Sequence, residues 1–331
     1  MPGEQVRLAH QVQQEGAPPM TERVIRQSEL SAYWTCPRNF FLGSVHGGTG
    51  FKKDWSHKPA KGTSDLGTLI HDLAHAYRTP ETGFTGETAW RNRLDLRRLE
   101  LAQHLGLPSV GDLPKEWKDI YRKAEVMFDG YVEWLGMSGA DAGEKTLGTE
   151  LEISVPLGEI LGDQVTLLGH IDHLVYDSVR DEVFVSDYKK VGDLDQAKDT
   201  LPINTQGRIY CVMAGIHTGK PVHRFRHDMF KDSLRTARAT PPFYERYEAE
   251  YNNRQLDNTW AQMIGTVTKM VRSIQYVEAN EVLHQMEFPP NPGKDCTWRC
   301  PFLAVCPMMD DGSNWQAAVS DLYVPRVGKE N

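Results

Sequence analysis

Asp187 and Lys189 stand two residues apart in EVFVSDYKKV, a stretch whose apolar and β-branched residues predict a strand. Alternate side chains of a strand leave the same face, so the carboxylate and the ammonium emerge together while Tyr188 points the other way. The preceding strand-like stretch, VTLLGHIDHLVYD, carries Asp172. If the two pair as a hairpin through the turn residues near 177–181, two carboxylates and a lysine converge. A salt bridge at a strand end is the plain alternative, because D-x-K is common by chance. Strands this apolar, however, lie inside a protein, where burying charges is costly unless something compensates them. A divalent cation would do so, and carboxylate and backbone carbonyl oxygens suit hard Mg²⁺ or Mn²⁺.

Further candidates flank this pair. His71 lies in GTLIHDLAHAY, where Leu66, Leu69, Ile70, Leu73 and Ala74 mark the buried side of a helix. A histidine there is ordinarily a satisfied core residue; here it is also a candidate ligand beside Asp172 and Asp187. His71 and His75 are four apart, as in zinc peptidases, but that motif needs Glu after the first histidine and this chain has Asp72. Gln206 and Tyr210, again four apart, share a helix face after the strands. Glu150, in GTELEISV, offers one more carboxylate or a structural salt bridge.

Three of the five cysteines, Cys296, Cys300 and Cys306, crowd into CTWRCPFLAVCP. No apolar run reaches the ~18 residues of a membrane span, and MPGEQVRLAHQVQQEG lacks the apolar core of a signal peptide. The expected setting is therefore cytoplasmic, where clustered thiols are metal ligands more often than disulfides. Thiolates hold either zinc or an iron–sulfur cluster. Cys211, in the apolar YCVMAGI, reads as a small core residue.

The 331 residues and 40 % hydrophobic content suffice for a sizeable core. A formal charge of −8 argues against coating nucleic acid by bulk electrostatics. Basic runs remain at 222–246, with six Lys or Arg against three acids, and at Arg91, Arg93, Arg97 and Arg98. Such runs are usually solvated faces, with phosphate contact as the alternative. Residues 1–25 read as a mobile leader and 308–331 as a tail. Between them the pattern is helical over about 64–137 and strand-like from 149, with a helix near 204–216 and another strand candidate, FRHDMFKDS, ending at about 232. It is helical again over about 242–285, ahead of the cysteines at 296–306. Helices around a small group of strands predict an α/β core with helical additions.

Taken in order, GTLIH (67–71), GHID (169–172), DYK (187–189) and QGRIY (206–210) resemble the motifs of RecB-like nucleases of the PD-(D/E)XK superfamily. Cys36, in SAYWTCPRNFF, followed by Cys296, Cys300 and Cys306, resembles the iron–sulfur arrangement of CRISPR-associated and helicase-nuclease members. The resemblance covers roughly residues 28–307. It implies a single restriction-endonuclease-like domain over 26–307: a mixed β-sheet core flanked by helices, its N- and C-terminal segments joined by a [4Fe–4S] cluster, with zinc as the alternative. It further implies that His71, Asp172, Asp187 and the backbone carbonyl of Tyr188 bind Mg²⁺ or Mn²⁺. Lys189 would position or deprotonate the attacking water, while Gln206 and Tyr210 orient the helix and the scissile phosphate. The expected activity is a DNA exonuclease acting at a free end, of stand-alone phage or CRISPR-associated type; recombination or CRISPR-adaptation proteins would be fitting partners. Cutting of flaps or branched DNA by the same site, and a non-catalytic DNA-binding recombination scaffold, are the competing readings.

Overall fold

A computed structural model of the chain describes residues 21–48, 50–53, 64–297 and 300–326. Strand β1 (Glu22–Arg26) leads into helix α1 (Gln27–Thr35), and β2 (Phe51–Lys53) follows. Helices α2 (Ser64–Arg78), α3 (Gly86–His104) and α4 (Lys115–Ser138) come next. Then run strands β3 (Glu144–Ile160), β4 (Asp163–Asp177) and β5 (Glu182–Val191). Helix α5 (Thr205–Thr218) separates β5 from β6 (Arg224–Lys231), and β7 (Tyr244–Glu250) precedes the long α6 (Asn253–Ala279). Helix α7 (Trp315–Leu322) and β8 (Tyr323–Pro325) close the described chain.

Three expectations need correction. The leader falls mostly on residues 1–20, outside the described residues, but its last stretch forms β1. The helical span expected from residue 242 starts only at Asn253, because YERYEAE is strand β7. Its Glu, Arg and Ala favour a helix intrinsically. Pairing with β6 overrides that preference, setting Glu250 opposite Arg224, Glu248 opposite Arg226 and Arg246 opposite Asp228. Within the stretch expected as a tail, α7 buries Trp315 and Val319 and is followed by β8, while residues 327–331 lie outside the described residues.

The chain divides into two compact units, each built from segments distant in sequence. Residues 55–153 and 170–260 form one of them. Its strands make a mixed sheet, with β4 and β5 antiparallel, β5 and β6 parallel, and β6 and β7 antiparallel. Parallel neighbours need a crossover, and α5 supplies it. Asn204 caps this helix by accepting from the Gly207 amide at 2.7 Å, and Gly219 ends it in the left-handed conformation. Apolar residues of α2, α3 and α4, among them Leu66, Ile70, Trp90, Phe128 and Tyr131, pack with Tyr188, Phe230 and Tyr244 of the strands. Helices thus flank a mixed sheet, as expected.

Helix α5 lies so close to the sheet that Gly207 has no room for a side chain. A Cβ there would stand 2.6 Å from the Phe225 ring. Gly207→Val is expected to cost about 1–3 kcal/mol through overpacking, read as a lower urea midpoint. It should also shift Gln206 and Tyr210, which the same helix carries.

The other unit comprises residues 1–54, 154–169 and 261–331. Here β1 runs parallel to β4, from Glu22 opposite Gln164 to Arg26 opposite Leu168, and β2 pairs antiparallel with β8. Phe41 stacks on Phe288 and His284 in its core. Buried Asp163 accepts from the Thr21 amide at 3.0 Å and from Gln275 at 2.9 Å, and pairs with Arg23.

Candidate active site

The β4–β5 ladder ends at the pair His173 and Ser186, one residue short of Asp172 and Asp187. Beyond that point the Tyr188 amide donates to Asp172 Oδ2 at 2.9 Å instead of to a strand. The two carboxylates lie near enough for their charges to act on one another, and Lys189 lies 3.0 Å from Asp187 Oδ1 and 2.9 Å from Oδ2. On α2, the apolar stripe seats Leu66, Ile70 and Leu73 in the core and leaves His71 Nδ1 3.3 Å from Asp172 Oδ2.

Glu150 completes the group. Among the described residues, His71, Glu150 and Asp172 form one set whose ligand atoms all lie within 4.8 Å of one another. Glu150 reaches it from a left-handed backbone, φ 48°, inside β3. That conformation is unfavourable for a residue with a Cβ and is found where surroundings or function enforce it. Asp187 lies outside this set and is 2 % exposed. Tyr188 buries its ring in the core, so its backbone alone is available to the site.

Burial and mutual attraction divide the charges of the site: Asp187 is disfavoured as a carboxylate, whereas Asp172, His71 and Lys189 are favoured in their charged forms. Burial pushes Asp187 up to about 6, with Asp172 pushing the same way and Lys189 opposing. Asp172 is lowered: burial raises it, but His71, Lys189 and the Tyr188 amide prevail. Burial disfavours the His71 imidazolium, yet Asp172 and Asp187 raise it to about 9. Lys189 loses to burial and gains more from Asp187 and Asp172, so it stays an ammonium.

These shifts give a pH signature for metal binding. A cation bound through His71 must displace its proton below about pH 9, and below about 6 a second proton from Asp187. Mn²⁺ affinity is therefore expected to rise roughly tenfold per pH unit between about 6 and 9, and more steeply below 6. Calorimetric titrations across this range check it; a flat profile above pH 6 would remove His71 from the ligand set.

Gln206 and Tyr210 meet as α5 intends, with Gln206 Nε2 donating to the Tyr210 hydroxyl at 3.3 Å. Burial raises Tyr210 to about 12, and Asp187 and Asp172 add to the rise. Beside the carboxylates runs a cavity of about 300 Å³ lined by Thr68, His71, Asp72, Arg97 and Glu150.

Several cations of the basic runs are paired within the fold. Arg224 and Arg226 are buried and paired, Arg224 with Asp177 at 2.7 Å and Arg226 with Glu144 at 2.5 Å. Arg93 and Arg97 both bind Asp72, at 3.0 and 2.6 Å, and Arg98 binds Glu125 at 2.7 Å. Sequence reasoning missed two features. One is His227, opposite Asp187 on β6, with Nε2 3.6 Å from Asp187 Oδ2. The other is the cluster on the reverse face of these strands. There Asp228 accepts from Ser186 at 2.6 Å, lies 3.2 Å from Arg226 and pairs with Arg246, which also binds Asp141 at 2.5 Å.

Cys36, Cys296, Cys300 and Cys306 line one cavity of about 700 Å³ with Arg38, Asn291 and Gly293. The Asn291 amide donates to Cys36 Sγ at 3.4 Å, the Gly293 amide to Cys296 Sγ at 3.4 Å, and Arg38 to Cys306 Sγ at 3.7 Å. Burial raises the Cys300 thiol, which also feels the other three. Among the described residues no three cysteine sulfurs lie within 4.8 Å of one another. Cys211 is a buried core residue on α5, and no described helix is long and apolar enough to cross a membrane.

Comparison with curated proteins finds no match. Solved structures give distant likenesses. An alkaline exonuclease from Laribacter hongkongensis is 12 % identical, with 64 % of this chain and 91 % of that one covered at a TM-score of 0.31. Its complex with dAMP is 14 % identical, with 66 % and 95 % covered and the same TM-score. A phage-related exonuclease from Haemophilus somnus 129PT is 12 % identical, with 60 % and 91 % covered at 0.25. Residues 26–307, by contrast, match a family as a whole, and the span contains every side chain of the carboxylate site and all four cysteines around the cavity. The chain belongs to the PD-(D/E)XK nuclease superfamily.

Proposed function

We propose that the protein is a metal-dependent DNA exonuclease acting at free ends. The observation that carries the reading is the convergence of His71, Glu150 and Asp172 beside Asp187 and Lys189, where three carboxylates meet one imidazole and one ammonium. Their imidazole and oxygen donors fit Mg²⁺ or Mn²⁺. His71, Asp172, Asp187 and the Tyr188 carbonyl, with Glu150, would hold the cation, which when bound would lower the pKa of a water so that hydroxide forms near neutral pH, and would offset phosphate charge. Lys189, kept as an ammonium by Asp187, positions the water against the phosphate. Tyr210, held by Gln206, donates from its protonated hydroxyl to a phosphate oxygen.

The four cysteines are proposed to hold a [4Fe–4S] cluster. The amide and guanidinium hydrogens aimed at three of the sulfurs favour thiolates, the form in which cysteine ligates a cluster. Protein purified without oxygen should be brown and contain about four irons per chain; a colourless protein with one zinc would replace the cluster by the alternative.

End-labelled linear DNA and covalently closed circles, each with Mn²⁺ or Mg²⁺, test the activity. Loss of label from linear DNA with intact circles is expected. Nicked circles or cut flaps would make the enzyme an endonuclease, and inertness toward every substrate would leave a DNA-binding scaffold.

A further inference from the structure

Lys189 Nζ straddles the buried Asp187 carboxylate, donating to Oδ1 at 3.0 Å and lying 2.9 Å from Oδ2 as an ion pair. His227 faces it from the parallel neighbour β6, where register sets the two residues opposite each other. Its side chain is 7 % exposed, and neither ring nitrogen has a hydrogen-bond partner among the described residues. Phe225 packs edge-on to the ring at 5.2 Å and fixes it there. Buried polar atoms without partners are expensive, and of the two ring nitrogens Nε2 stands only 3.6 Å from Oδ2, an oxygen whose close partner is Lys189 alone. A shift of a few tenths of an ångström closes this gap into a hydrogen bond.

We propose that His227 is a positioning residue: its Nε2–H donates to Asp187 Oδ2 and takes over the carboxylate when a cation displaces Lys189 from it. Lys189 is then released toward water and phosphate, while Asp187 keeps a donor on its second oxygen, as ligating carboxylates generally do. This inference rests on the function proposed above. No charge is added to the site, because burial holds the imidazole neutral.

Mn²⁺ binding to wild type, His227→Leu and His227→Gln, followed by the electron paramagnetic resonance of free Mn²⁺, tests the idea without a substrate. His227→Leu is expected to weaken binding roughly tenfold or more. His227→Gln, whose side-chain amide can place a hydrogen near the same oxygen, should restore it to within about threefold. Equal impairment of both variants would reduce His227 to a packing residue, and wild-type binding by His227→Leu would overturn the proposal. If His227→Leu does not fold, nitrogen-15 spectra of wild type decide: a neutral ring protonated on Nε2 is expected, and a proton on Nδ1 instead rules the role out. Because Mn²⁺ binding needs no DNA, an enzyme that binds Mn²⁺ in this pattern yet cuts nothing would refute the nuclease reading and leave the positioning role standing.

Discussion

Asp187→Asn is expected to slow DNA cleavage at least about 10³-fold, and Lys189→Met about 10²–10³-fold, with both variants remaining folded. The amide keeps the shape of Asp187 but takes away the charge on a side chain that is 2 % exposed and next to Asp172. A cation then loses one of its proposed ligands, whereas Lys189→Met removes a positioning charge and leaves the carboxylates in place. The two variants should separate in binding: Mn²⁺ at a hundred times its Kd stabilises wild type by about 2.7 kcal/mol, and that gain should vanish in Asp187→Asn but persist in Lys189→Met. Cleavage rates with end-labelled DNA and melting curves with and without Mn²⁺ provide the readout. Retention of a tenth of the wild-type rate by Asp187→Asn would show that the chemistry occurs elsewhere.

The largest loss of stability is expected from Asp228→Ala, about 3–5 kcal/mol by urea unfolding. Asp228 is fully buried and serves as counter-charge to Arg226 and Arg246. These charges hold Asp228 ionised well below the usual carboxylate range, against the opposing effect of burial. Deleting it leaves two enclosed guanidiniums sharing Glu144 and Asp141, a worse fault than losing one favourable pair. Asp228 and Ser186 stand on the reverse face of the strand positions that present His227 and Asp187. A milder Asp228→Asn, which still accepts from Ser186, should therefore retain the fold and lose part of its Mn²⁺ affinity through loosened strands. A wild-type urea midpoint for Asp228→Ala would show that the cluster contributes little to stability.

Much of this site was legible because its signals are local. The period of two in EVFVSDYKKV put Asp187 and Lys189 on one side, and the helical stripe around Leu66, Ile70 and Leu73 placed His71 at the edge of a buried face. Gln206 and Tyr210 needed only the spacing of a helical turn. Other parts depend on chain geometry that residue types do not encode. Nothing in GTELEISV announces a left-handed Glu150, since the strand around it imposes that twist. His227 meets Asp187 only because α5 carries the chain across to a parallel neighbour, so the pair is set by register and has no motif. The run at 222–246 reads as a solvated face, yet Arg224 and Arg226 are buried, because their partners Asp177 and Glu144 come from other strands. β7 departs from its helical pattern for a related reason: its helix-favouring residues are paired across to β6. The cysteine trio was conspicuous, while Cys36 joined it through resemblance alone before the fold placed all four around one cavity.

The interleaving of the two units bears on how a ribosome must deliver this protein. The carboxylate-bearing unit is complete in sequence once residue 260 has emerged, but the cysteine-bearing unit still awaits residues 261–331. Until then β1 and the loop holding Cys36 remain without those partners, and joining them later closes loops of more than two hundred residues at an entropic disadvantage. During synthesis the nuclease strands are thus poised to consolidate first, with the thiols kept waiting for their final companions.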